Sequence, residues 1–188
     1  YWQGSTFTHG DCTLTTGSSQ QSYNSGTFGL SAGLWYFESK LTVAPTTSNA
    51  FIGIVDVPPT SATNAMGQSA YSYGYLGGNG DIYWNTAGGT SYGDSFTAGD
   101  IIGWYLDLTN SKLYFAKNGV IQNSGTGKTI NAVSLTTNGQ YFPAVGDYNN
   151  SSVGTWQCNF GNGYFGTDLI SSPEDDAGGI GAFKYDPS

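Results

Sequence analysis

Few side chains in this sequence carry groups suited to acid–base, nucleophilic or metal chemistry. There is one histidine, His9, one pair of cysteines, Cys12 and Cys158, and one pair of glutamates, Glu38 and Glu174. Asp11 follows His9 at a spacing that suits a local hydrogen bond. A catalytic base would also need an oriented nucleophile, and no G-x-S-x-G turn is present. Glycoside hydrolysis requires two carboxyl groups about 5–9.5 Å apart, one of them held protonated. No E-x-D-x-x-E type run supplies such a pair around Glu38. Cys12 and Cys158 stand 146 positions apart, which with a lone histidine gives no metal-ligand spacing. They read as small buried hydrophobes. Oxygen ligands cluster at Asp147, Asn149 and Asn150 and again at Asn79 and Asp81, which leaves calcium open; turn chemistry explains both clusters equally well. No other cofactor is expected.

Aromatic residues are the richer resource. Tyr71, Tyr73, Tyr75, Tyr83, Trp84 and Tyr92 crowd one loop-rich region. Rings flanked by Asn and Asp suit the apolar faces and hydroxyls of sugars, and equally the anchor points of protein interfaces. Tyr73, Tyr75 and Trp84 are better read as filling a core.

Charge excludes other partners. The chain has 5 basic residues, none of them arginine, and a net charge of −8. Phosphate contacts need Lys and Arg, so a nucleic-acid surface is excluded, and an anionic membrane would repel the chain. No apolar run approaches the length of a membrane span. The chain opens on Tyr1 and closes on GIGAFKYDPS, which reads as a processed chain or a piece of a longer one. A composition rich in Gly, Ser, Thr and Asn is that of extracellular or virion-surface β-proteins.

The positioning elements are strands. Leu34–Val43 alternates, with Trp35, Phe37, Leu41 and Val43 on one face and Tyr36, Glu38, Lys40 and Thr42 on the other. Phe51–Val57 is a short apolar strand stopped by Pro58-Pro59. Ala70–Leu76 and Asp81–Asn85 form a hairpin around Gly77-Gly78-Asn79-Gly80. Ile102, Trp104, Leu106 and Leu108 alternate with Ile101, Gly103, Tyr105 and Asp107. A turn at Thr109-Asn110-Ser111, with Asn110 as its left-handed residue, leads to a strand over 113–116, and Asn118-Gly119 signals a second hairpin. A weak strand at Thr129–Val133 and clear ones at Gln140–Tyr148 and Val153–Phe160 follow. No window has helical periodicity. Residues 162–188 lack alternation and read as an irregular exposed tail or linker after one domain at 1–161.

The run from Tyr92 to Gly119, together with GLWYFESKL (33–41), GIVDV (53–57), YSYGYLGGNGDIYWN (71–85), YFPAVGD (141–147) and CNFG (158–161), resembles the SPRY domain family in order and spacing. The resemblance covers residues 30–161. It implies an all-β fold, a bent antiparallel β-sandwich of the concanavalin A-like jelly-roll kind, used for binding and not catalysis. Glu38 falls where the family has a structural glutamate, and Asp107 on its recurrent strand aspartate. The family's first and last strands lie close, which would permit a Cys12–Cys158 disulfide. Its partners are bound by loops at one end of the sandwich, here Thr46–Asn49, Pro58–Ser69, Ala87–Tyr92 and Asp147–Ser152. Asn64, Tyr71, Asn79, Tyr92, Tyr148 and Asn149 are the residues expected to meet a ligand there. The chain lacks the preceding PRY-like segment of the animal adaptor members. Its arginine-free style and closing sequence resemble SPRY modules of bacteriophage structural proteins. The expectation is an oligomeric virion-surface or extracellular module, a capsid decoration or tail-fibre part, contacting neighbouring subunits or host glycans. A secreted carbohydrate-binding protein or glycoside hydrolase on the same sandwich is the alternative.

Overall fold

The computed structural model describes residues 5–10, 12–17, 22–46, 49–59, 65–85, 88–148 and 153–187. Two antiparallel sheets enclose the core. The first runs, edge to edge, β1 (Thr6–Thr8), β2 (Thr13–Thr15), β14 (Thr155–Asn159), β4 (Leu34–Val43), β9 (Ile101–Asp107), β10 (Lys112–Lys117) and β11 (Val120–Ile121), with β12 (Lys128–Thr129) also on β10. The second runs β3 (Ser22–Ser25), β13 (Phe142–Asp147), β5 (Ala50–Val55), β6 (Tyr73–Leu76), β7 (Asp81–Trp84) and β8 (Thr90–Ser91). One buried cluster joins Phe37, Trp104 and Trp156 of the first sheet to Ile52, Tyr75 and Val145 of the second. That is the inner filling of a β-sandwich, built from alternate residues of facing strands. Among the described residues no helix is long and apolar enough to cross a membrane.

Strand periodicity and structure agree at the centre. β4 spans Leu34–Val43 as its alternation predicts, and a register shift opposite Thr155 and Trp156 bends it against β14. Asn118 and Gly119 both take positive φ, the backbone that a tight hairpin needs. The preceding turn differs. Asn110 donates its backbone N–H and its side-chain amide to the Asp107 carboxylate, at 2.9 and 2.7 Å, and the left-handed conformation falls on Ser111 instead. The weak strand expected at 129–133 shrinks to β12, followed by a 3-10 turn at Val133–Leu135. Strands β1 and β3, of three and four residues with a single aromatic each, are too short for alternation to mark them in the sequence.

The largest difference is at the C-terminus. Residues 162–187 do not project as an exposed tail. They form two small hairpins, β15 (Tyr164–Phe165) with β16 (Asp168–Leu169) and β17 (Glu174–Asp175) with β18 (Ala182–Phe183), and bury Phe165, Ile170 and Phe183. The outer face of the first sheet supplies the reason. It presents aromatic rings and the carboxylate of Glu38, and it is covered only when this segment lies down on it.

Candidate binding cleft and loop ends

Glu38 shows how the segment is held. Its side chain points away from the sandwich core yet is fully buried. The carboxylate accepts hydrogen bonds from Tyr36 OH (2.9 Å), Asn159 Nδ2 (3.2 Å), and the backbone N–H groups of Lys184 and Tyr185 (both 2.8 Å). A buried carboxylate survives only with its lone pairs occupied, and half of these donors come from the C-terminal segment. Tyr105 OH adds a bond to the Asp186 carbonyl at 3.0 Å, while the Tyr36 ring packs at a tilt against Tyr105 and meets Phe183 edge-on. Burial and the neighbouring Glu38 charge push the Tyr36 hydroxyl far above the ordinary tyrosine range, so it stays a donor. Glu38 is therefore a clasp.

The clasped segment forms one wall of a cleft of about 880 Å³. Leu34, Trp35 and Tyr105 line the sheet side, Ile121 the flank, and Ile180 and Pro187 the segment side. Three of these are unusually open for their type: Leu34 is 73% exposed, Trp35 43% and Ile180 88%. Trp35 is fixed by a 2.8 Å bond from its Nε1–H to the Ala32 carbonyl. A cluster of exposed apolar side chains around one concavity marks a site of association. Asp107 and Asp176 are the charged residues among the lining. Hydrogen bonds from Asn110 hold the Asp107 carboxyl below its usual range, and the N–H groups of Ile180 and Gly181 do the same for Asp176.

The ligand-facing residues expected from sequence do not form one surface. Asn79, in the β6–β7 turn, and Tyr148, after β13, share one end of the second sheet: Gly77 N–H bonds to Ala50 O and Tyr148 N–H to Asn49 O. Tyr71 lies at the opposite end, next to Tyr73, whose hydroxyl accepts from Asn131 N–H at 2.9 Å. The four loops divide in the same way. Of their described residues, Asn49, Asp147 and Tyr148 border the Asn79 end, Pro58 and Gly88 follow β5 and β7 at the Tyr71 end, because β5 and β6 run antiparallel, and Tyr92 has returned beside Gly80. Tyr92 is no surface residue: it is 6% exposed, with its ring against Tyr75 and Phe115. Asn64 and Asn149 lie outside the described residues. Asn79 and Asp81 bond to one another at 2.7 Å, and among the described residues no three His, Cys, Asp or Glu side chains converge.

Cys12 and Cys158 are neighbours across β2 and β14, with Cys158 N–H donating to Cys12 O at 2.7 Å, but the disulfide that the family resemblance would permit does not join them in the structure. Burial pushes the Cys158 thiol up to about 12, against a smaller opposing effect of the Ser39 hydroxyl 3.1 Å away. An unfolded cysteine titrates near 8.5, at about four units less than a fully buried one can reach. Cys158 therefore favours the folded state fully below about pH 8.5, and that contribution is lost as pH rises from there through 12. At pH 8, iodoacetamide should label the half-buried Cys12 alone in native protein and both thiols in urea, read by mass spectrometry. Native labelling at Cys158 would contradict this burial.

Residues 34–161, about two thirds of the chain, match the profile of the SPRY domain. The chain belongs to the SPRY domain family. The curated relatives it resembles include a Ran-binding proteins 9/10 homolog of Drosophila melanogaster, 34% identical over 91 residues, which are 48% of this chain and 9% of the relative. Ran-binding protein 9 of Homo sapiens is 32% identical over 87 residues, 46% of this chain and 12% of that protein. The dual specificity protein kinase splA of Dictyostelium discoideum is 40% identical over 75 residues, 40% of this chain and 3% of the kinase. This SPRY domain thus spans a small fraction of the length of those relatives. Among solved structures, the SPRY domain of human HERC1 superposes with a TM-score of 0.62 at 20% identity, covering 83% of this chain and 92% of that one. A second human SPRY domain gives 0.58 at 20% identity, covering 82% and 95%. The β-sandwich is thereby the SPRY fold, and SPRY domains serve as protein-interaction modules. Sequence reading placed Trp35 on the core face, as its register opposite Leu106 does, but missed the cleft of this SPRY domain because Trp35 lies at the open end of β4, where it stays 43% exposed. The available signal was the Leu34-Trp35 pair, two large apolar residues on opposite faces at the very start of a strand.

Proposed function

We propose that this chain is a non-catalytic module that binds a partner polypeptide, as one part of a larger assembly. The observation that carries this reading is the open apolar cleft at Trp35 on a chain of the SPRY family. The fixed walls favour it: Trp35 is tethered by its indole N–H, and the opposite wall is clasped by Glu38, so little is lost to ordering on binding. No carboxylate pair or oriented nucleophile among the described residues competes as a catalytic centre.

A virion-surface or extracellular setting with host glycans as ligands is a second reading. It draws on the arginine-free composition and on exposed Tyr148 beside the Asn79 turn. Panning a random dodecapeptide phage library on the immobilised chain, with a glycan array in parallel, separates the two. Enriched peptides with a silent array support the polypeptide reading. Glycan hits with no peptide enrichment would replace it with the lectin reading.

A further inference from the structure

We infer that the cleft at Trp35 takes a cationic segment of a partner protein, with a large apolar side chain seated between Trp35 and Ile180 and Lys or Arg beside it. This deepens the binding-module reading and rests on it.

Three observations converge on that chemistry. The first is shape and surface. The cleft of about 880 Å³ exceeds one side chain and is walled mainly by rings and aliphatic groups, the setting in which an apolar anchor contributes most. The second is local charge. Asp107 and Asp176 are lining residues and no Lys lines the cleft, so it carries two carboxylates, both ionised at neutral pH like any ordinary aspartate. Their lone pairs are not exhausted: each lies at the surface, open to an incoming ammonium or guanidinium. The third is the field of the whole chain, which at −8 draws cationic partners and repels acidic ones. A second copy of this chain is disfavoured as occupant, since a two-fold contact would bring the same carboxylates face to face.

The test uses nine-residue synthetic peptides with a central Trp or Ser, flanked by Lys, by Ser or by Glu. Binding is measured by calorimetry at two salt concentrations, and the site by the indole N–H signals of the ¹⁵N-labelled protein. The Lys-flanked Trp peptide should bind at least tenfold more tightly than the Glu-flanked one, weaken with salt, and move the Trp35 indole signal but not that of buried Trp104. Asp107→Asn combined with Asp176→Asn should weaken it roughly tenfold, since each exposed pair is worth up to about fivefold. Trp35→Ala should cost more than tenfold while the melting temperature holds. Equal binding of Lys- and Glu-flanked peptides, or signal changes clustered at Asn79 and Tyr148, would overturn the inference. If these peptides fail but the random library still yields specific binders, the inference falls and the module reading stands. An empty library sinks both.

Discussion

Glu38→Ala releases the C-terminal segment and lowers stability by about 2–3 kcal/mol, the apolar burial given up when the segment lifts, because keeping the orphaned donors buried would cost about 1–3 for each of them. The substitution orphans Tyr36 OH, Asn159 Nδ2 and the N–H groups of Lys184 and Tyr185. The chain has two responses. It can keep these donors buried and unsatisfied, or it can lift the segment and let water reach them, giving up the burial of Phe183. The second costs less, because Phe183 and the Tyr36 ring re-expose roughly 2–3 kcal/mol of apolar surface against several unsatisfied groups. Trypsin or a broader protease should then cut within 162–187 while the sandwich survives, and urea unfolding should show the loss. Glu38→Gln keeps one acceptor oxygen but turns an amide toward donors, so an intermediate loss of about 1–2 kcal/mol follows. Truncation after Gly161 is the control: if Glu38→Ala adds nothing to it, the carboxylate acts through the segment. Peptide binding should vanish with the clasp although Trp35 is untouched, since Ile180 and Pro187 form the opposite wall.

That coupling explains which parts of the molecule were legible in the sequence. The central strands were, because a strand buried on one face alternates: Ile102, Trp104 and Leu106 point inward and are almost wholly buried. Glu38 was identified as structural through the family resemblance, but its partners were not, because two of them are backbone N–H groups some 146 positions away. No side-chain pattern advertises a backbone donor. The tail was misread for a related reason. Its apolar residues, Phe165, Ile170 and Phe183, are spaced by Gly and Ser turns and bury singly into an existing surface, so no periodicity builds up. Tyr92 was placed at the surface because it follows a glycine-rich loop. In the structure that loop ends just before it, and the Tyr92 N–H bonds to Gly80 O, turning the ring inward. The splitting of the expected ligand loops between two ends follows from the antiparallel order of β5 and β6, which fixes the ends only once the pairing is known.

Gly53→Ala is expected to be a severely damaging single methyl, costing more than about 3 kcal/mol, the upper range of overpacking, in a fold whose total stability is on the order of 5–15. The reason is space, since Gly53 sits in an ordinary strand within β5. It faces Gly74 across β6 and Ala144 across β13. A Cβ at Gly53 would overlap the carbonyl oxygen of Tyr73 and lie 3.0 Å from Met66 Sδ. The carbonyl belongs to the neighbouring strand and can yield only if the pairing of β5 with β6 opens. Gly74→Ala makes the useful contrast. Its Cβ would meet Phe51 Cδ1 at 2.7 Å and Met66 Cγ at 3.0 Å, both on side chains. Phe51 and Met66 belong to the smaller outer cluster with Leu76 and Phe142, which can re-pack at about 1–3 kcal/mol. Gly88→Ala, with nothing within 4 Å of the added carbon, should fall within about 0.5 kcal/mol of the parent. Urea midpoints and soluble yields of the three variants should rank Gly53 far below Gly74 and Gly74 below Gly88. Should Gly53→Ala unfold within 1 kcal/mol of the parent, β5 and β6 do not pair as Gly53 against Gly74, and the end of the sandwich assigned to Asn79 and Tyr148 would have to be redrawn.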